Sequence, residues 1–371
     1  MNQLHQILEQ GQSVWYDFIS REFIASGQMQ RLVDLGIRGM TSNPSIFEKA
    51  IASGTAYDNQ IRALGSEGKS TAEIATALFV DDIRAACDLL RPTYDNAEGA
   101  DGFVSIEVNP RLSARTTETI TEARSLWDQV DRPNVMIKIP ATPEGMPAIR
   151  RCLADGINVN ITLMFSLAQY RDVASAYIEA LEERAAAGMP LNRIASVASV
   201  FVSRIDSLVD ALLEKIGADQ ALSLRGKAAL ANTKLVYGEF LNLFSGQRWE
   251  RLAQTGGRPQ RPLWASTSTK NPNYPALLYV DPLVGPETVN TVPPETLEAI
   301  LDSGPFERAT VSEGLDEARR TMTELAAVGI DMDGVMEQLL REGVEKFETS
   351  FDGVFAKIEA KREILVEGGG A

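Results

Sequence analysis

The chain has 371 residues, of which 44% are hydrophobic and 23% charged, with 28 Gly and 17 Pro. This is the composition of a folded globular protein and excludes disordered, collagen-like and coiled-coil classes. Thirty-six Lys and Arg against 51 Asp and Glu give a net charge of −15 without any basic run, which argues against nucleic acid and against an anionic membrane surface as partners.

A phosphorylated substrate is compatible with that charge, because a local cationic pocket can sit in an acidic whole. No apolar run approaches the roughly 20 residues of a membrane span, and no signal peptide is apparent. Cys87 and Cys152 are the only cysteines and lack metal-type spacing, so a reducing cytoplasm is the expected location. Cys87 continues a helix face with Phe79, Ile83 and Leu90 and reads as a core thiol. The single histidine, His5, lies in a polar N-terminal segment. Ser-His-Asp hydrolysis and multi-histidine zinc sites are thereby disfavoured, leaving Lys, Asp, Glu, Tyr or Ser for any catalysis.

Along the chain, short apolar runs alternate with longer amphipathic segments. Strands are predicted at 14–19, 37–43, 103–109, 135–140, 157–165, 194–202, 262–267 and 288–292, with helices at 71–90, 166–187, 205–215 and 221–244 between them. Ser70 and Glu73 have capping-box spacing at the start of the first of these helices. Eight strands in βα alternation predict an α/β fold, the (β/α)8 TIM barrel, as a single domain over 1–371. The length beyond about 250 residues is assigned to helical insertions at 44–101 and 205–261 and to a C-terminal helix around 338–364. That helix carries Val344, Phe347, Phe351, Val354 and Phe355 as an apolar stripe, read either as core packing or as a helix folded over the barrel mouth. The final EGGGA reads as a frayed tail.

Central parallel strands are normally apolar on both faces, and three of these are not. Ser105, Glu107 and Asn109 share one face of their strand, Met136 and Lys138 one face of the next, and Asn158, Asn160 and Thr162 one face of the third. With the apolar sets on the outer helices, these polar sets point inward. An interior Lys and Glu are costly unless paired. One explanation is a buried Lys138–Glu107 ion pair holding the barrel together. The other is a site at the C-terminal ends of the strands, where barrel chemistry is located. Desolvation favours a neutral amine, which attacks a carbonyl to form a Schiff base. The resulting imine is the electron sink that C–C cleavage requires, so the pattern points to aldol chemistry without metal or cofactor. Glu107 and Asp17, two carboxylates in different settings, supply the acid–base pair; the alternative for Asp17 is a cap at a strand-to-helix turn.

The stretches WYDFISR, TSNPSIF, VSIEVNPRLS, VMIKIPAT, NVNITLMFSLAQY, SVFVSRID and EGVEKFETSFD, in this order through most of the chain, resemble those of transaldolases. The resemblance implies a (β/α)8 barrel that needs no cofactor. Such an enzyme moves a dihydroxyacetone unit from sedoheptulose 7-phosphate to glyceraldehyde 3-phosphate through a lysine Schiff base, giving erythrose 4-phosphate and fructose 6-phosphate in the non-oxidative pentose phosphate pathway.

By the same resemblance Lys138 is the Schiff-base lysine. Glu107 and Thr162 hold the water used in imine formation, and Asp17 is the base at the sugar C4 hydroxyl. Asn43 and Asn160 bind donor hydroxyls, Ser199 lies at the site, and Arg204 binds phosphate. An arginine paired with Asp206 or Asp210 is the alternative for Arg204. Where many members carry a second phosphate-binding arginine, this chain reads STSTKNPNY, so Lys270 stands in, attracting phosphate without the bidentate fork. The partners implied are sugar phosphates, with the protein a monomer or homodimer. A fructose 6-phosphate aldolase-like enzyme, another class I aldolase and a non-enzymatic sugar-phosphate-binding barrel are the competing readings.

Overall fold

The computed structural model describes residues 2–367, so the predicted tail at 367–371 lies outside the described residues except for Glu367. Within them are seven strands: β1 (Gln12–Tyr16), β2 (Val104–Glu107), β3 (Val135–Pro140), β4 (Val159–Met164), β5 (Ser196–Phe201), β6 (Arg261–Ala265) and β7 (Thr288–Val292). All pairs are parallel, in the order β1-β7-β6-β5-β4-β3-β2. Helices cover the outside, as parallel strands joined by crossovers require.

The predicted second strand, 37–43, is not a strand. Met40 instead makes single parallel bridges to Tyr16 of β1 and to Val104 of β2, so the two edges of the curled sheet meet on this segment. Backbone hydrogen bonds around the bridge join the segment to both edges, with the amides of Arg38 and Thr41 donating to Val14 and Tyr16 and the amide of Met40 to Phe103, but its two ends are engaged elsewhere. The Ile37 amide is bonded to the Leu32 carbonyl at the end of the preceding helix, while Asn43 already caps the next one, accepting from the Ile46 amide at 3.1 Å. The expected eight-stranded barrel is therefore seven strands and a bridging segment.

Other boundaries move by a few residues. The capping box at Ser70 and Glu73 is present, but its helix runs Thr71–Asn96, through Pro92. Proline removes one hydrogen bond there, whereas the buried stripe of Cys87, Leu90 and Thr93 continues past it. The predicted helix 221–244 is two helices, Asp219–Leu222 and Ala228–Leu243. They are separated by Gly226 at φ +70°, a left-handed conformation that ends helices.

The N-terminal end of the sheet is closed by Asp101. It accepts from Ser13, from Trp15 Nε1 at 2.9 Å and from Arg38 Nε at 3.2 Å. At the opposite end lies the helix Met332–Arg362. Gly343 allows its close approach to the sheet, because a Cβ there would stand 2.9 Å from Leu163 Cδ2. The helix is pinned along its length by Ser350 to Ser45 (2.7 Å), Asp352 to Arg111 (2.7 Å) and Lys361 to Asp58 (2.5 Å). Cys87 and Cys152 are buried free thiols, and burial pushes Cys152 up to about 12. His5 is exposed and its ring contacts Asn2 Oδ1 at 2.7 Å. No helix among the described residues is long and apolar enough to cross a membrane.

Candidate active site

The inward polar residues follow from strand register. Glu107 of β2 lies beside Lys138 of β3, which lies beside Asn160 of β4; two positions further on, Pro140 lies beside Thr162. Inward side chains in adjacent registers of a curled sheet are brought together at its axis. A cavity of about 300 Å³ opens there at the C-terminal ends of the strands. Eight of the nine residues expected from the sequence line it, namely Asp17, Asn43, Lys138, Asn160, Thr162, Ser199, Arg204 and Lys270. The ninth, Glu107, sits behind Lys138.

Lys138 is 5% exposed. Its Nζ donates to the Ser42 carbonyl at 3.0 Å, stands 3.4 Å from Glu107 Oε2 and 5.7 Å from the Phe347 ring centre. The ion pair anticipated as a purely structural explanation is thus present, yet the same amine faces a cavity large enough for a small sugar.

Glu107 is held by one cation in an otherwise dry setting. Burial raises its carboxyl to about 7, with Lys138 opposing the rise. Its Oε2 lacks a hydrogen-bond partner, as does the buried hydroxyl of Thr162. Orphaned polar atoms are rare in protein interiors, and two beside one buried amine call for an explanation. The register of β4 shifts between Ile161 and Met164, and Leu163 takes φ +56°; such bulges redirect side chains beside functional sites.

Asp17 follows the last residue of β1. It does not cap a helix: Ser20 caps Arg21–Ala25. Its Oδ1 accepts from Thr41 Oγ1 at 2.6 Å. Burial raises its carboxyl, while Lys138, the Thr41 hydrogen bond and Arg204 partly offset this. Thr41 also contacts Thr291 Oγ1 at 2.7 Å and so fixes the carboxylate from the neighbouring segment. Asn160 donates to Ser105 Oγ at 2.9 Å and accepts from Ser199 Oγ at 2.6 Å, which locks its amide.

At the rim, Arg204 occupies the first turn of the helix Ser203–Ile216, where unpaired backbone N–H groups favour an anion. The alternative pairings fall away. Asp206 accepts from the Ala229 amide and the Tyr279 hydroxyl, and Asp210 from the Gly226 amide and the Tyr274 hydroxyl. The Arg204 guanidinium lies 4.9 Å over the Phe201 ring, and burial lowers its proton affinity. Lys270 donates to Ser268 Oγ at 2.5 Å.

Thr41, Phe347, Lys346, Lys49 and Glu295 also line the cavity; of these the sequence singled out only Phe347, in the stripe read either as core packing or as a helix folded over the barrel mouth. The first three sit inside the quoted stretches TSNPSIF and EGVEKFETSFD, so a signal existed, but nothing local says which side of a helix or turn faces a distant strand. No group of three or more His, Cys, Asp or Glu among the described residues is arranged to hold a metal.

Residues 14–358 match the family model described as Transaldolase/Fructose-6-phosphate aldolase. The chain is 51% identical over 343 residues to a transaldolase of Parafrankia sp. (strain EAN1pec), covering 92% of this chain and 93% of that one. It is 49% identical over 356 residues to a transaldolase of Thermobifida fusca (strain YX), covering 96% and 97%. With a transaldolase of Mycolicibacterium smegmatis it shares 48% identity over 342 residues, 92% of each chain. Similarity of this extent, running through every strand that lines the cavity, places the chain in the transaldolase/fructose-6-phosphate aldolase family, as an enzyme of the transaldolase class.

Proposed function

We propose that this enzyme transfers a dihydroxyacetone unit from sedoheptulose 7-phosphate to glyceraldehyde 3-phosphate through an imine on Lys138, within the non-oxidative pentose phosphate pathway. The observation that carries this reading is a buried amine facing a polar cavity, with two unpartnered oxygens beside it and the Asp17 carboxylate on the same cavity wall. The Lys138 amine adds to the keto carbon C2 of the donor. Glu107 and Thr162 hold the water that carries protons during loss of hydroxide from the carbinolamine. A carboxyl that titrates near 7 can both give and take a proton at neutral pH.

In the imine, Asp17 takes the C4 hydroxyl proton as the C3–C4 bond breaks, and the electron pair moves toward the iminium nitrogen. The aldose leaves, the enamine adds to the incoming aldehyde, and Asp17 returns its proton to the new hydroxyl. Hydrolysis of the product imine regenerates the amine. Asn43 and Asn160 bind donor hydroxyls, Ser199 orients Asn160, and Arg204 with Lys270 receives the phosphate. We read the segment at 38–41 as the eighth stave of a (β/α)8 barrel, supported by the two Met40 bridges, and a reducing cytoplasm as the setting, supported by the two free thiols.

The test is to incubate the protein with fructose 6-phosphate and borohydride, weigh it intact and map the adduct. A dihydroxyacetone-sized increase on Lys138 is expected. Absence of an adduct there overturns the imine, and turnover without an aldose acceptor overturns transfer in favour of simple aldolase activity.

A further inference from the structure

The cavity mouth is crowded with cations. Arg204, Lys270, Lys49 and Lys346 all line it, from four separate parts of the chain. Among the described residues none of the four forms an ion pair, although most other arginines near carboxylates do. Lys346 stands out because of where it comes from. It is carried by the Met332–Arg362 helix one position before Phe347, whose ring lies over Lys138, and on the same helix as Gly343, whose position is within 4 Å of Arg204. The proton affinity of Lys346 is lowered first by the charge of Arg204, then by burial, Lys270 and Lys49. Like charges held together cost stability, and the two carboxylates that line the same cavity, Asp17 and Glu295, are outnumbered by the four cations and are not ion-paired with them among the described residues. In a chain of net charge −15, that arrangement is self-consistent once an anion occupies the space between them. A sugar phosphate brings about −1.5 to −2 charges at neutral pH.

We propose that Lys346 binds the substrate phosphate from the C-terminal helix, opposite Arg204 and Lys270, and so makes that helix a determinant of specificity for phosphorylated over unphosphorylated sugars. The proposal deepens the function given above and rests on it. The helix is suited to the task because its anchors to Ser45, Arg111 and Asp58 lie on both the insertion and the sheet side of the mouth, so Lys346 is delivered on a fixed element. Its amine then converts part of the repulsion within the cluster into a charge-assisted hydrogen bond.

Lys346→Gln is expected to raise KM for a phosphorylated aldose acceptor about ten-fold more than KM for the unphosphorylated aldose, the change that about 1.4 kcal/mol produces. Lys346→Arg is expected to restore most of the difference. Without substrate, the Gln variant is expected to melt at or above the parent temperature, while inorganic phosphate raises its Tm less than that of the parent. On the unaltered protein, inorganic phosphate is expected to protect Lys346 from an amine-acetylating reagent, which keeps the test independent of any variant's folding. Equal KM changes for both acceptors, undiminished stabilisation of the Gln variant by phosphate, or acetylation of Lys346 at the same rate with and without phosphate would each overturn the proposal. Borohydride trapping of unphosphorylated dihydroxyacetone on Lys138 separates the two levels: its failure refutes the imine, whereas trapping that survives alongside a null result at Lys346 refutes only the phosphate contact.

Discussion

Replacing Lys138 by Met removes the only cation among the described residues within ion-pair distance of Glu107 and keeps the length and apolar stem of the side chain. In the native protein the Glu107 carboxyl is raised from 4.5 to about 7, which corresponds to about 3 kcal/mol of preference for its protonated form. The folded state therefore binds this proton more tightly than the unfolded chain. That contribution is fully present below about pH 4.5, is lost as pH rises toward about 7, and is level above it.

Lys138 is what holds the value down to about 7, by its charge. In Lys138→Met the carboxyl titrates higher, so the loss continues above pH 7 at about 1.4 kcal/mol per pH unit. Parent and variant are thus expected to differ modestly at pH 5, where Glu107 is protonated in both folded proteins. The gap is expected to widen between pH 7 and 8.5. Urea unfolding of both proteins at pH 5, 7 and 8.5 measures it, with borohydride trapping abolished in the variant at every pH. A gap independent of pH, or one that narrows above pH 7, would show that Glu107 is not buried against Lys138 in the way described.

Thr162→Val removes a buried hydroxyl that has no partner; it is expected to leave the melting temperature unchanged or higher, since such a group costs about 1–3 kcal/mol, while slowing imine trapping. Asp17→Asn retains a carbonyl for the Thr41 hydroxyl and is expected to lower turnover by about 100-fold or more while dihydroxyacetone is still trapped; loss of both in parallel would argue that Asp17 acts before C–C cleavage. Lys270→Ala should raise KM for phosphorylated substrates more than for unphosphorylated analogues, and equal effects would remove it from the phosphate site. Gly343→Leu forces atoms against Leu163 and is expected to destabilise by about 1–3 kcal/mol and to raise KM, read by thermal melts and steady-state kinetics; unchanged values of both would mean that the helix is not tightly seated there.

The pattern of polar residues within otherwise apolar strands was readable because a strand has period two: Glu107, Lys138, Asn160 and Thr162 fall on one face whatever surrounds them. The same rule misplaced Asn158 and Asn109. Asn158 bonds the Pro133 and Val135 carbonyls and the Ala195 amide, whereas Asn109 caps the turn at Pro110–Leu112, because both lie where the strands give way to connections and the alternation lapses.

Segment 37–43 has the composition of a strand, and its apolar residues are buried. How far it pairs, here over Arg38–Thr41 with bridges only at Met40, depends on how much backbone the flanking helices claim, which composition does not encode. Local chemistry thus determined the α/β alternation, the capping box at Ser70 and the inward set around Lys138. Only the tertiary structure decided that Met40 joins both sheet edges, that Thr41 braces Asp17, and that the helix Met332–Arg362, far from Lys138 in sequence, brings Phe347 and Lys346 to the mouth. The physical reason is range. Periodicity and capping act over a few residues, whereas the closing of a sheet and the seating of a terminal helix are set by packing and charge between segments whose separation along the chain leaves no local trace.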